Sequence, residues 1–376
     1  MKKVYRILAI NPGSTSTKIA LFENETELFR EKLSHSSKEL APFPDVQSQI
    51  AFRTEIVGCE LARRGISPSE LDVFVGRGGG LLPLEGGVYR VTELLAEHAS
   101  RGMSGEHPAQ LAAQICKMFA NEYSKPAFVV NPPDVDEFED ISRITGLRGV
   151  YRESHIHALN QKEVALRFCA ARGLDYGAVN LIVCHLGGGI SITAHKNGRM
   201  TDSNDIIRGS GPMTPTRAGD LHYMAVLELA EDGPASKKLL AERLSRRGGL
   251  IDHFGTSDAR EVRKLIEGGD KYAALVYDAM IYQCAKHAGA MAAALKGELR
   301  AIILTGGLAH DEYFTRKMSE YLGWIAEIAV MPGEFELEAL AAGALRVLRG
   351  TEPEKEYTGV PVWTARDHMP GTPPPQ

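Results

Sequence analysis

Eight residues, Asn11 to Lys18, read Asn-Pro-Gly-Ser-Thr-Ser-Thr-Lys and bring an amide, four hydroxyls and an ammonium together. Such a run can be an oxyanion cradle, with hydroxyls, backbone N–H groups and one lysine converging on phosphate. It can also be a plain polar turn, because Ser and Thr are ordinary turn residues. A second stretch, His185-Leu-Gly-Gly-Gly-Ile-Ser, offers Gly187, Gly188 and Gly189, where missing side chains let backbone N–H groups approach a phosphate closely. Two arginines stand among glycines, Arg77 in Val-Gly-Arg-Gly-Gly-Gly and Arg217 in Pro-Thr-Arg-Ala-Gly-Asp. Planar guanidinium forks suit carboxylate and phosphate, although a loop arginine is also an ordinary solvated charge. His155 and His157 form an H-x-H pair, a spacing that also occurs at metals, but the sequence offers no obvious Cys or carboxylate to complete such a site.

The elements that must carry these residues can be read from periodicity. Ile7 to Ile10 and Ile19 to Phe22 are short apolar runs on either side of the hydroxyl-rich turn, which predicts a hairpin. Leu181 to Ala194 repeats the plan about 174 residues later, with Gly13 falling on Gly187 and Ala20 on Ala194. Asn197-Gly198 then favours a tight second hairpin. Each half also holds a later strand ending in glycines, Leu71 to Gly80 and Ala301 to Gly307. Each of these strands follows a helical pattern. Gln49 to Gly65 has Ile50, Val57 and Leu61 on one face, and Tyr272 to Leu295 has Leu275, Met280, Ile281 and Met291 to bury. The expectation is a mixed α/β sheet made twice, with a cleft between the halves. From Thr351 the chain is Pro-rich and aperiodic, which predicts a tail or surface arm.

Bulk properties exclude several classes. Hydrophobic residues are 44% and charged residues 24%, ordinary for a soluble globular chain, and the formal net charge is -5. A nucleic-acid protein would show a basic face. The five cysteines form no C-x-x-C pair, so neither a zinc ribbon nor a disulfide framework is expected. No stretch of 18 apolar residues occurs and the opening lacks a signal-peptide pattern, so a cytoplasmic protein without a membrane partner is expected. The G-x-x-x-x-G-K-[ST] loop, a strand-borne G-x-G-x-x-G and the protein-kinase motifs are absent.

Four segments in order resemble the acetokinase family of the sugar-kinase/actin/heat-shock-chaperone superfamily: Asn-Pro-Gly-Ser-Thr-Ser-Thr-Lys, His-Leu-Gly-Gly-Gly-Ile-Ser, Thr-Pro-Thr-Arg-Ala-Gly-Asp-Leu and Leu-Thr-Gly-Gly-Leu-Ala-His-Asp. The stretches around Val135 to Leu147 and Met331 to Gly343 point to its butyrate branch rather than its acetate branch. The resemblance implies a duplicated actin-like (ribonuclease H-like) two-domain α/β fold with an interdomain active-site cleft. The expected boundaries are an N-terminal domain over 1–150, completed by 341–376, and a nucleotide-binding domain over 151–340. It implies ATP-dependent phosphorylation of butyrate or a branched short-chain acid to the acyl phosphate, and the reverse reaction, with ATP/ADP and Mg²⁺ as cofactors. Acetate or propionate as substrate is one alternative, and a non-catalytic actin-like ATP-binding module is another. A homodimer or higher homo-oligomer is expected.

By the same resemblance Arg77 and Arg217 bind the substrate carboxylate and the moving phosphoryl group. His157 is in register with the family's transition-state donor. Asn11, Ser14, Ser16 and Lys18 line the phosphate and metal side, and His185 with Gly187, Gly188 and Gly189 face them. Asp258 and Arg260, capped by Thr256 or Ser257, lie beside the adenosine with Gly306, Gly307, Leu308, Ala309 and His310. Glu336 is the metal-side carboxylate beside Asn11, with Glu334 as the neighbour that could take its place. The acetate enzymes carry Asn where Gly188 stands and a catalytic Asp where Asn131 stands, so Asp136 and Glu137 are the carboxylates expected near the acceptor. A second family histidine falls on Glu106, with His107 next to it. Two valines that follow the substrate arginine in acetate enzymes are replaced by Gly78-Gly79-Gly80, which predicts room there for a longer alkyl chain.

Overall fold

The structure, a computed structural model, describes residues 3–230 and 234–365. Its strands are β1 (Arg6–Pro12), β2 (Ser16–Glu23), β3 (Thr26–Ser34), β4 (Val73–Gly76), β5 (Val88–Arg90), β6 (Ala127–Val130), β7 (Asn180–Leu186), β8 (Ile190–Lys196), β9 (Arg199–Ser203), β10 (Ala301–Thr305), β11 (Glu327–Val330) and β12 (Glu354–Lys355). The chain divides into two compact units. The first comprises Met1–Asp136, Ala158–Glu163 and Phe335–Gln376; the second comprises Glu137–His157 and Val164–Glu334. The outer divisions fall at 136 and 334, where 150 and 340 were expected, and residues 158–163 return to the first unit in between.

In the first unit seven strands run in the order β12-β5-β6-β4-β1-β2-β3. β1 pairs antiparallel with β2 and parallel with β4, and β4 pairs parallel with β6. The alternating directions of strand side chains sort the apolar run of β1 into two cores. Leu8 and Ile10 join Val57 and Leu61 of the helix Ile50–Arg63. Ile7 and Ala9 join Leu337, Leu340 and Ala344 of the helix Glu336–Leu348. Both faces are covered, which is why β1 reads as a continuous apolar run rather than an alternating one.

The second unit has five strands in the order β11-β10-β7-β8-β9. β7 pairs antiparallel with β8, while β10 runs parallel to both β7 and β11. This is the same connectivity as β6-β4-β1-β2-β3, so the duplication inferred from sequence is present. Asn197 and Gly198 turn between β8 and β9 at φ 49 and 80, as an Asn-Gly hairpin requires. The long helix spans Lys271–Ala294, with the Asp270 carboxylate accepting from the N–H groups of Tyr272 and Ala273. It buries Val276, Tyr277, Met280, Ile281, Cys284 and Ala288. Met280, Ile281 and Met291 are buried as expected, while Leu275 is 67% exposed and Val276 is buried beside it.

Within the described residues after Thr351, up to residue 365, the chain is held rather than loose; the rest of the expected tail lies outside the described residues. Residues 354–355 add β12 to the sheet edge beside β5. Tyr357 is buried, with its hydroxyl bonded to the Leu82 N–H and to His98. Among the described residues no helix is long and apolar enough to cross a membrane.

Candidate active site

Each unit gathers its own set of polar groups. In the first unit the hydroxyl-rich segment is the turn between β1 and β2. Ser14 and Thr15 are exposed at its tip, while Asn11 and Ser16 are buried at the strand ends. The helix Glu336–Leu348 begins beside it and places Glu336 against three of the expected residues. Its carboxylate accepts from Asn11 Nδ2 at 2.8 Å and from Arg77 Nη1 at 3.0 Å, and lies 3.4 Å from Lys18 Nζ. Arg77 follows β4, and its Nε is buried with no hydrogen-bond partner. Burial, and then the Arg77 charge, push the His107 imidazole below its ordinary value.

Two expectations change here. Gly78, Gly79 and Gly80 all have positive φ, at 71, 144 and 69. A Cβ would meet the Val129 side chain 3.1 Å away at Gly78, Ala109 and Gln110 at Gly79, and the Ala99 carbonyl at 3.2 Å at Gly80. The glycines therefore serve a tight backbone path, and they do not open room for an alkyl chain. Asn131, at the position of the acetate enzymes' Asp, is also structural. Its φ is 39, and its Oδ1 accepts from Gly87 N–H at 2.8 Å.

In the second unit the glycine turn joins β7 to β8. The Gly187 N–H is spent within the turn, on the Gly189 carbonyl at 3.1 Å. Only Gly188 and Gly189 are thus left to offer amides, where all three glycines were expected to. The Gly188 carbonyl accepts from both Thr214 and Thr216 hydroxyls, at 2.8 and 2.7 Å. Thr214 Oγ1 in turn accepts from the Arg217 N–H at 3.0 Å. The Thr-Pro-Thr-Arg segment is thereby strapped to the glycine turn. Arg217 lies so close that a Cβ on Gly189 would be 1.9 Å from its Nη1. Its Nε and Nη1 are buried with no hydrogen-bond partner, and burial lowers the guanidinium's affinity for its proton. A small cavity beside it is walled by Ile190, Ile206, Pro212 and Thr214.

The histidines divide. The His157 ring stacks on His185 at 4.0 Å between centroids, and its Nδ1 is 2.9 Å from Ser191 Oγ. His155 turns instead to Asp205, 2.9 Å away. The two do not converge on a common point, so the pair is no metal clamp. Glu334 lies 3.9 Å from His185 Nε2 and borders Gly187. Of the two acids, Glu336 is therefore the one hydrogen-bonded to Asn11. Glu137 is buried, with Oε2 accepting from Met200 N–H of β9 at 2.8 Å. Asp136 is buried in the first unit, where its N–H bonds the Leu84 carbonyl.

The segment expected to lie beside adenosine follows β10. Gly306 has φ 90 and exchanges backbone bonds with Gly333. Gly307–His310 form a 3-10 turn in which Leu308 and Ala309 point into the core, leaving Gly307 and His310 exposed. Asp258 itself, rather than Thr256 or Ser257, caps the helix Ala259–Glu267, and it pairs with Arg260 at 2.6 Å. That guanidinium holds the Asp258 carboxyl down at about 2.

Sequence reading passed over Arg53, Thr214, Thr216 and Ser191. Arg53 had a usable signal: it lies on the same helical stripe as Ile50, Val57 and Leu61, where a cation is out of place.

The acetokinase family model matches residues 150–324. The chain is 43% identical over 353 residues to a probable butyrate kinase of Listeria monocytogenes serotype 4a (strain HCC23), covering 94% of this chain and 99% of that protein. A probable butyrate kinase of Listeria monocytogenes serovar 1/2a (strain ATCC BAA-679 / EGD-e) is 42% identical over the same shares. Among solved structures, Porphyromonas gingivalis acetate kinase superposes with a TM-score of 0.73 at 20% identity, over 92% of this chain and 100% of that one. A propionate kinase from Francisella tularensis gives 0.69 at 17% identity, over 90% and 98%. These neighbours identify the duplicated α/β fold as actin-like. With a relative of 43% identity matched along 99% of its length, the chain belongs to the acetokinase family and is a carboxylate kinase.

Proposed function

We propose that the protein transfers the terminal phosphoryl group of ATP to butyrate, or to a branched acid of similar length, and runs the reverse reaction from the acyl phosphate and ADP. The observation that carries this reading is the pair of arginines with buried, unpartnered donors: Arg77 Nε, and Arg217 Nε and Nη1. Buried donors cost free energy unless an acceptor meets them, and carboxylate and phosphate oxygens are the acceptors a guanidinium fork fits. A module that only bound nucleotide would not need both. The choice of butyrate rests on the names of the Listeria relatives.

A carboxylate acceptor is already ionised near neutral pH. Its oxygen attacks phosphorus with no proton to remove, so no general base is required. Asn131 cannot act as a base, which is compatible with such an acceptor, and the Glu137 carboxylate is engaged by β9 through the Met200 N–H. The work left to the chain is positioning and charge stabilisation. Arg217, His157 and the Gly188 and Gly189 amides are the groups suited to the equatorial oxygens; Arg77 is suited to the carboxylate. Among the described residues no cluster of three His, Cys, Asp or Glu could hold a metal alone. Glu336 with the Asn11 amide fits Mg²⁺ that arrives on the nucleotide and keeps most of its waters. Bound there, Mg²⁺ would offset phosphate charge.

The test is hydroxamate formation with ATP, Mg²⁺ and hydroxylamine over straight and branched acids of two to six carbons. Each buried methylene is worth about 0.8 kcal/mol, so butyrate should exceed acetate by roughly tenfold in kcat/KM. Acetate preferred over butyrate would overturn the substrate assignment, and no hydroxamate with any acid would overturn the reaction.

A further inference from the structure

Arg53 stands in the first turn of the helix Ile50–Arg63 and is fully buried. A cation there opposes the helix dipole, and burying its charge is costly without a counter-ion. Among the described residues no Asp or Glu pairs with it. Its acceptors are neutral and belong almost entirely to the hydroxyl-rich turn. Nη1 donates to the Gly13 carbonyl at 2.8 Å, the Ser16 carbonyl at 3.2 Å and Thr17 Oγ1 at 3.2 Å. Nη2 donates to the Ser14 carbonyl at 3.2 Å, and Gln49 Oε1 accepts from Nη2 and Nε. The remaining carbonyl, Thr15, accepts from His35 N–H at 2.8 Å. The Gly13, Ser14 and Ser16 carbonyls are thus drawn toward the Arg53 guanidinium, the last also accepting from the Gly13 N–H at 2.7 Å. In a trans peptide the C=O and the following N–H point opposite ways. Pulling in the Gly13 and Ser14 carbonyls therefore turns out the N–H groups of Ser14 and Thr15, both exposed residues with no backbone acceptor in the turn.

We propose that Arg53 is a positioning residue for phosphoryl transfer: it holds the 13–16 turn from behind so that Ser14 and Thr15 present their amides outward, and phosphate oxygens bound on the far side supply the counter-charge its guanidinium lacks within the protein. The inference rests on the reading of this turn as a phosphate site.

Calorimetric titration with MgATP, without carboxylate, and with adenosine is compared for the wild type, Arg53→Lys, Arg53→Gln and Lys18→Met. Adenosine affinity should be unchanged in both Arg53 variants. MgATP affinity should fall about ten- to a hundredfold, less in Arg53→Lys than in Arg53→Gln, because lysine keeps the charge and loses the fork. A lowered melting temperature with MgATP affinity within threefold of wild type means a structural role only and overturns the proposal. If Lys18→Met also leaves MgATP binding unmoved, it is the phosphate reading of the turn that has failed, and the positioning role falls with it. Should the Arg53 variants not fold, nuclear magnetic resonance on the intact protein decides. MgATP should shift the Arg53 Nε–H signal together with the Ser14 and Thr15 amides, and an unmoved Arg53 signal overturns the proposal.

Discussion

Arg217 and His35 are both buried cation-forming side chains, and they are tuned for opposite purposes. Arg217 keeps two nitrogens unpartnered next to the glycine turn, so its substitution should strike turnover. Arg217→Lys should lower kcat by roughly three to five orders of magnitude while leaving nucleotide affinity nearly intact. A variant within tenfold of wild-type kcat in steady-state assays would remove Arg217 from the reaction. His35 is held neutral, first by burial and then by the Arg53 charge, with Glu39 acting weakly the other way. The unfolded chain takes up the proton at its ordinary value, 6.5, before the folded one does. His35 therefore contributes its full stability above that pH, and the contribution is lost as the pH falls below it. Melting temperatures between pH 7.5 and 5.5 should decline less steeply in His35→Gln, which can still bond Thr17 Oγ1. Parallel slopes for the two proteins would refute this.

Glycine turns after strands recur at the level of elements, and they do two different jobs. At Gly189 no positive φ is needed, and a Cβ would collide with the end of a flexible side chain, Arg217 Nη1. Gly189→Ala should therefore displace the guanidinium at little cost to the fold: kcat down about a hundredfold or more, melting temperature almost unchanged. At Gly79 the φ of 144 is itself the requirement. Gly79→Val should destabilise by about 1–3 kcal/mol and lower butyrate and acetate turnover alike in the folded fraction. Denaturant unfolding combined with kinetics on both acids separates the two cases. A selective loss of butyrate turnover in Gly79→Val would restore the alkyl-room reading of these glycines.

The duplication has an asymmetry that matters for the whole molecule. The last helix, Glu336–Leu348, does not complete the second unit from which the chain has just emerged. It covers one face of the first unit's sheet with Leu337, Leu340, Ala344 and Leu345, and it delivers Glu336 to Asn11, Lys18 and Arg77. Ending the chain after Glu334 should uncover Ile7, Ala9, Val73 and Val75. At about 1.5–3 kcal/mol per large apolar side chain, the loss would exceed the few kcal/mol by which domains are stable. The truncated protein should melt with only the second unit's transition by calorimetry; an unchanged first transition would refute the dependence.

Period and punctuation were enough to read β1, β2, β7 and β8, their 174-residue echo and the two buried helices, because strand and helix register are local properties written in adjacent residues. The glycine-rich and hydroxyl-rich turns after β7 and β1 were legible for the same reason. Contacts between residues far apart in the chain were not. Glu336 meets Asn11 across 325 positions, and Glu137 meets Met200 across 63. Nothing in either neighbourhood states which acid meets Asn11 and Arg77 and which meets a strand N–H. The Gly78 to Gly80 run looked like vacant volume, but the backbone direction and the packing of Ala99, Ala109 and Val129 decided that it is filled. Arg53 was legible as a cation on an apolar stripe, but its partners were not, because they depend on which way three carbonyls of a distant turn face. Local sequence thus determined the elements and the chemistry on offer. Tertiary structure alone decided how those groups are aimed, since direction is set by packing among residues that the chain order keeps apart.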